Sequence, residues 1–168
     1  MTSSQPRPVE RVTPPGLVIA VGNPVLSWLL SGRRRSAAVG RDLMLLHVTG
    51  RRSGRVYSTP VAYHRRPDGR LLVLTSSGWR FNLRGRPTAV EVTLFGRRLP
   101  ATAVLVEDPD AVADVYGELI EAVGVAKANR RLGIRINLDR APTHGELCEA
   151  ARRDHLSVLH LDVDEDPP

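Results

Sequence analysis

The chain has 168 residues, with 24 basic and 18 acidic side chains, a net charge of +6 and a single cysteine. That length supports one domain with a real core and leaves little for a second, and the lone Cys148 excludes an internal disulfide and fits a reducing, cytoplasmic setting. Charge is unevenly placed: residues 33–100 carry fifteen arginines against Asp42, Asp68 and Glu91, whereas residues 101–168 carry seven basic and fourteen acidic side chains. A basic half of this kind recruits an anionic partner such as a phosphorylated cofactor, a nucleic acid or a membrane surface.

Residues 1–15, with four prolines and little to bury, predict a disordered or extended tail. One domain is expected over 16–162, followed by an acidic tail over 163–168. The apolar run 17–30 is broken by Gly22-Asn23-Pro24 and is too short to span a bilayer. Pro24 can open a helix carrying Val25, Leu26, Trp28, Leu29 and Leu30, and Gly32 with Arg33, Arg34 and Arg35 can end it. Packing of that helix across a barrel mouth is preferred to anchoring of Trp28 in lipid headgroups, and peripheral membrane contact or a homodimer built on the helix stays open.

Strands are predicted at about 43–49, 56–64, 71–76, 89–95 and 97–106, separated by turn signals at Gly50 to Gly54, Pro67-Asp68-Gly69 and Gly96. Pro60 and Pro100 cannot donate to a ladder, so each should sit at an edge or a bulge. Asp108-Pro109 caps a helix to about Val123, with Ala113, Val115, Leu119, Ile120 and Val123 as its buried side. A second helical piece covers 125–132, and Thr143 with Glu146 gives a capping-box pattern for a third over 145–153. Alternation in Leu156, Val158, Leu159 and Leu161 then predicts a last strand. The fold class expected is α+β, a split antiparallel β-barrel of about six strands with an N-terminal helix and helices inserted before the last strand.

The stretch Gly50-Arg51-Arg52-Ser53-Gly54-Arg55 puts three guanidiniums on one glycine-bounded loop. Glycines admit close backbone approach, and arginine supplies planar forked donors matched to phosphate and carboxylate oxygens, so the loop suits an anion cradle as well as it suits a solvated hairpin tip. No metal site is expected. The five histidines show no ligand spacing among themselves or with Cys148, which is read as structural, and no nucleophile elbow, Walker loop or dinucleotide fingerprint occurs. A cradle without an evident nucleophile or base suits an enzyme whose cofactor carries the chemistry.

Gly50 to Arg55 followed by Ser58-Thr59-Pro60, then Thr75-Ser76-Ser77-Gly78 and Trp79-Arg80-Phe81-Asn82-Leu83, resembles the deazaflavin-dependent nitroreductase and quinone reductase family, split barrels related to flavin-mononucleotide oxidoreductases. The resemblance implies coenzyme F-420, an 8-hydroxy-5-deazaflavin, as cofactor, with flavin mononucleotide the lesser choice. It implies that Arg51, Arg52, Ser53, Gly54 and Arg55 hold the cofactor's phosphate and acidic tail. Ser58, Thr59 and Pro60 would run beside the ring, Ser76 and Ser77 would offer donors, and Trp79 and Asn82 would wall the pocket. The implied reaction is hydride transfer to a quinone, nitroaromatic or enone-like small molecule, with the proton coming from solvent or a tyrosine. Trp79 reads equally well as a core aromatic and Asn82 as a turn residue. Four features depart from the family pattern: Tyr57 stands at a common arginine position, the Ser76 to Trp79 connection is short, Arg80 replaces an aromatic, and the C-terminal half has Tyr116 as its only tyrosine where nitro-reducing members carry a cluster. A non-catalytic split-barrel module binding an apolar ligand or flavin is the competing reading. Nucleic acid is not expected as a partner, because few aromatics interleave with the arginines.

Overall fold

The computed structural model describes residues 6–12, 24–25, 27–32 and 41–164. The chain divides into two compact units, one made of Met1–Thr13 and Val106–Val158 and the other of Pro14–Leu105 and Leu159–Pro168. The second unit is built on the strands β2 (Leu43–Thr49), β3 (Val56–Ala62), β4 (His64–Arg65), β5 (Leu71–Thr75), β6 (Thr88–Leu94) and β7 (Arg97–Val106). With β9 (Ser157–Val163) they form one seven-stranded sheet in the order β3-β2-β6-β7-β9-β5-β4, a split antiparallel barrel.

The curl follows from connectivity. β3 and β4 are the two edges of the sheet, yet only Tyr63 separates them in sequence. Two Cα steps span at most about 7 Å, so the edges are drawn together and the sheet must close on itself. Tyr63 is 5% exposed, and its N–H donates to the Asp42 carbonyl at 3.1 Å. Alternate residues fill the interior: Met44, Leu46 and Val48 from β2, Val90 and Val92 from β6, Ala101 and Ala103 from β7, Leu71 and Val73 from β5, and Leu159 and Leu161 from β9. Small alanines on β7 face large residues elsewhere, as a narrow barrel needs.

The long strand predicted over 56–64 is split at Tyr63, where the chain passes between edges. Pro60 lies on the edge strand β3, opposite Leu45, as expected. Pro100 does not. It lies in β7, between β6 and β9, but its carbonyl accepts from Asp164 N at 3.1 Å, one residue past the end of β9. The missing donor therefore falls where the ladder is already ending, which limits its cost.

The other unit holds α1 (Pro109–Val123), α2 (Val125–Arg131), α3 (His144–Asp154) and a two-stranded sheet of β1 (Val9–Arg11) with β8 (Ile134–Ile136). Asp108 caps α1 by accepting from Ala111 N at 3.0 Å, and Gly124, at φ 80°, ends it. The buried side of α1 is Val112, Ala113, Tyr116 and Ile120, whereas Val115, Leu119 and Val123 are only half-buried. Ala113 and Ile120 of the expected side are buried, and Val112 and Tyr116 join them in place of Val115, Leu119 and Val123. Thr143 and Glu146 close the capping box of α3 from both sides.

Within the stretch expected to be disordered or extended, residues 9–11 are extended and paired as the strand β1. Val9 is 1% exposed opposite Ile136, Asn137 N donates to the Pro8 carbonyl at 2.9 Å, and Arg153 reaches the Val9 carbonyl at 2.5 Å. A three-residue strand has no readable period, and its partner lies more than 120 residues away. Residues 27–31 are helical, as the sequence predicts; the Arg33 to Arg35 end of that segment lies outside the described residues. Among the described residues no helix is long and apolar enough to cross a membrane.

Candidate functional site

The arginine-rich loop is a tight connection between β2 and β3. Gly50 N donates to the Arg55 carbonyl and Gly54 N to the Gly50 carbonyl, both at 2.8 Å, and Gly54 takes φ 65°. Glycine is needed at Gly50 for space: a Cβ there would stand 2.7 Å from Ser53 Oγ and 2.8 Å from the Tyr57 ring. Ser53 Oγ also lies 3.2 Å from the Tyr57 hydroxyl and accepts from Arg55 N, so the loop is braced on one side by Tyr57.

On its other side the loop meets a 3-10 turn over Gly78–Leu83. Asn82 links the two, accepting from Arg51 N through Oδ1 and donating from Nδ2 to the Trp79 carbonyl, each at 3.0 Å. The Arg51 guanidinium donates to the Arg84 carbonyl. Beneath the turn Arg80 is 5% exposed, and its guanidinium donates to the carbonyls of Ser76 at 2.7 Å and Ser77 at 3.0 Å. The guanidiniums of Arg80 and Arg84 each lie over the Phe81 ring, 4.3 and 4.5 Å from its centre.

Between loop and turn lies a cleft of about 730 Å³ lined by Gly50, Arg51, Arg52, Ser53, Tyr57, Trp79, Phe81 and Asn82. That volume suits a cofactor-sized molecule. The lining contains no carboxylate, cysteine or histidine, and among the described residues Arg52 and Arg55 have no ion-pair partner. Tyr57 and Phe81 leave about half their surface exposed, 49% and 47%, which for large aromatics in one cleft marks a binding surface. A lining of arginine cations together with exposed aromatic side chains can hold a planar group with an anionic tail.

Of the expected site residues, Arg51, Arg52, Ser53, Trp79 and Asn82 line this cleft, with Gly54 and Arg55 in the same loop. Ser58, Thr59, Pro60, Ser76 and Ser77 are outside its lining. The Ser76 and Ser77 carbonyls are taken by Arg80, and Ser58 Oγ lies 2.7 Å from His47 Nδ1. His47 Nε2 in turn meets Thr93 Oγ1 at 2.8 Å, so the ring pins β3 to β2 and β6.

Burial first, then the Arg98 charge, lowers the His47 pKa below 6.5, with Glu91 opposing. A depressed histidine favours the neutral ring in the fold, so this stabilisation is complete above about pH 6.5 and is lost as pH falls through the folded value. Urea unfolding at pH 7.5 and at pH 5 is expected to show the loss, and His47→Gln should flatten part of it. His160, whose pKa burial and then the Arg66 and Arg70 charges also lower, acts in the same direction.

A second group escaped the sequence reading. Asp110 of α1 and His144 and Cys148 of α3 bring one ligand-type atom each within 4.8 Å of one another. His144 and Cys148 stand at i and i+4, one face of one helix, and that spacing was the available signal. The sequence reading found no histidine at ligand spacing from Cys148, yet His144 Nε2 is 3.2 Å from its sulfur.

Residues 30–154 match the profile of the F420H(2)-dependent quinone reductase family. No curated protein matches the sequence. Among solved structures, one described as a domain-swapped dimer aligns over 83% of this chain and 93% of its own, with 18% identity and a TM-score of 0.45. An F420-H2 dependent reductase, FDR-A, aligns over 73% and 95%, with 21% identity and a TM-score of 0.43. A protein of unknown function from Agrobacterium tumefaciens aligns over 77% and 54%, with 17% identity and a TM-score of 0.44. Because the family profile covers most of the chain, including the whole arginine loop and the Trp79 turn, this protein belongs to the F420H(2)-dependent quinone reductase family, whose cofactor is the reduced deazaflavin coenzyme F-420.

Proposed function

We propose that this chain transfers hydride from reduced coenzyme F-420 to a quinone, with nitroaromatics and enones as related acceptors, in the cleft between the arginine loop and the Trp79 turn. The observation that carries the reading is the lining itself: guanidiniums and exposed aromatics face one cavity with no carboxylate among them. The residues fit the cofactor in two further respects. Gly50 leaves room for Ser53 and Tyr57 to pack against the loop backbone and so fixes its shape, and the loop's donors are forked cations suited to phosphate and carboxylate oxygens.

When bound, the deazaflavin supplies the hydride. The chain's part is to bind and orient: Arg51 and Arg52 hold the anionic tail, Trp79 and Phe81 wall the ring, and Asn82 keeps loop and turn at a constant separation. Tyr57 and Ser53 carry the only hydroxyls of the lining, so the proton reaches the acceptor from Tyr57 or from water. Ser58 contributes by holding His47, and Ser76 and Ser77 by anchoring Arg80 beneath the turn through their carbonyls.

The test is a titration of the apo-protein with oxidised coenzyme F-420 and with flavin mononucleotide, followed by turnover of the reduced deazaflavin with menadione. Saturable binding of the deazaflavin with quinone-dependent oxidation supports the proposal. Binding without turnover on any acceptor would favour the non-catalytic module, a reading motivated by the two residues, Ser77 and Gly78, that separate Ser76 from Trp79.

A further inference from the structure

The group formed by Asp110, His144 and Cys148 lies in the helical unit and takes no part in the reaction proposed above. Cys148 Sγ is 3.2 Å from His144 Nε2 and 3.3 Å from Asp110 Oδ1, and His144 Nε2 is 3.2 Å from the same oxygen. For a tetrahedral zinc ion with its usual bonds to sulfur, nitrogen and oxygen, neighbouring ligand atoms stand about 3.3–3.6 Å apart. The triangle is therefore close to one face of such a site already. Outside the triangle, His144 Nδ1 lies 3.2 Å from Asp114 Oδ1, and Asp110 Oδ2 lies 3.8 Å from Arg152. A carboxylate on the far nitrogen of a histidine is the arrangement that orients metal-bound imidazoles.

We infer that Asp110, His144 and Cys148 form a binding site for a zinc-class divalent cation that ties the first turn of α1 to α3. Three protein ligands leave one coordination position, and the exposed His144 and Asp110 side chains open it to water. The donor set of one thiolate, one imidazole and one carboxylate suits zinc or cobalt rather than calcium or magnesium. On binding, the Cys148 thiol gives up its proton to solvent and the thiolate takes the metal, so one proton is released per ion. The positive ends of the two helices oppose a cation here, but the thiolate and the carboxylates of Asp110 and Asp114 outweigh them.

The same sulfur, ring and Asp114 could be read as an activated thiol nucleophile. Against that, Cys148 is buried, and the Asp110 oxygen beside its sulfur disfavours a free thiolate while complementing a metal-bound one. Histidine-bearing purification tags would bind the same ions, so the test uses untagged full-length protein.

Chelator-stripped protein is titrated with Co²⁺ and then with Zn²⁺ against a chromogenic chelator. The expected result is one ion per chain, a near-ultraviolet thiolate-to-cobalt band and visible bands as intense as four-coordinate cobalt gives. Asp114→Asn should lower zinc affinity roughly ten- to a hundredfold, the usual effect of losing an orienting partner, and Cys148→Ser should lower it further and remove the thiolate band. Asp110→Asn, a change at an exposed position, should weaken binding without unfolding α1. Arg52→Ala should leave zinc affinity unchanged, which separates a failure here from a failure at the cleft. Absence of the thiolate band at one equivalent of cobalt, or equal zinc affinity in parent and Cys148→Ser, overturns the inference. So does rapid alkylation of Cys148 at neutral pH that zinc does not slow.

Discussion

Arg52→Ala is expected to weaken coenzyme F-420 binding by about 1.5–3 kcal/mol, roughly ten- to a hundredfold in dissociation constant, measured by fluorescence titration. Arg52 lines the cleft, is exposed and has no ion-pair partner among the described residues, so its removal takes away a charged donor and little else. Thermal stability should therefore change by under about 0.5 kcal/mol. Arg52→Lys should recover part of the loss, because an ammonium restores charge without the fork. Binding of an analogue that lacks the phosphate and acidic tail should be the same in all three proteins. Arg51→Ala is a compound case: its guanidinium also holds the Arg84 carbonyl, so it should loosen the loop as well as weaken binding. Unchanged affinity in Arg52→Ala for the intact coenzyme would make the loop surface charge and sink the proposed cleft.

Arg80→Ala is expected to cost about 2–4 kcal/mol of stability, read as a fall in the denaturation midpoint. The side chain is buried and donates to two loop carbonyls while stacking on Phe81. Hydrogen bonds from a charged donor contribute about 1.5–3 kcal/mol, and the truncation also leaves a void beneath the turn. Coenzyme affinity should fall too, because the turn that carries Trp79 and Asn82 loses its support. Arg80→Lys can reach one carbonyl and should lie between parent and alanine. A parent-like midpoint for Arg80→Ala would mean that the turn is held by Leu83 and its own backbone.

Arg80 also shows where sequence reasoning stops. In the sequence it is a departure, a cation where the resembling family has an aromatic. In the structure it is a strut whose polar end is matched by Ser76 and Ser77 carbonyls four and three residues earlier. Asn82, read from the sequence as a turn residue or a pocket wall, bonds Arg51 N and the Trp79 carbonyl with one amide and lines the cleft. Ser58 shows a contact that no local pattern records: its hydroxyl lies 2.7 Å from His47 Nδ1, and His47 stands opposite it in the β2–β3 register.

Period-two alternation, glycine turns and helix caps are local properties, and they placed β2, β5 to β7, β9 and the three helices from the residues alone, because a strand's inward set and a helix's first turn are written within a few residues. The arginine loop was legible for the same reason, and the family with its coenzyme F-420 was legible through the motifs that carry the resemblance. Tertiary structure alone decided three things. It closed the barrel through Tyr63, since closure depends on which strands become edges. It paired Val9–Arg11 with Ile134–Ile136, two segments too short to carry a period. It brought Asp110 of one helix against His144 and Cys148 of another, because contacts across more than thirty residues depend on how elements pack, and no spacing within a single element records that.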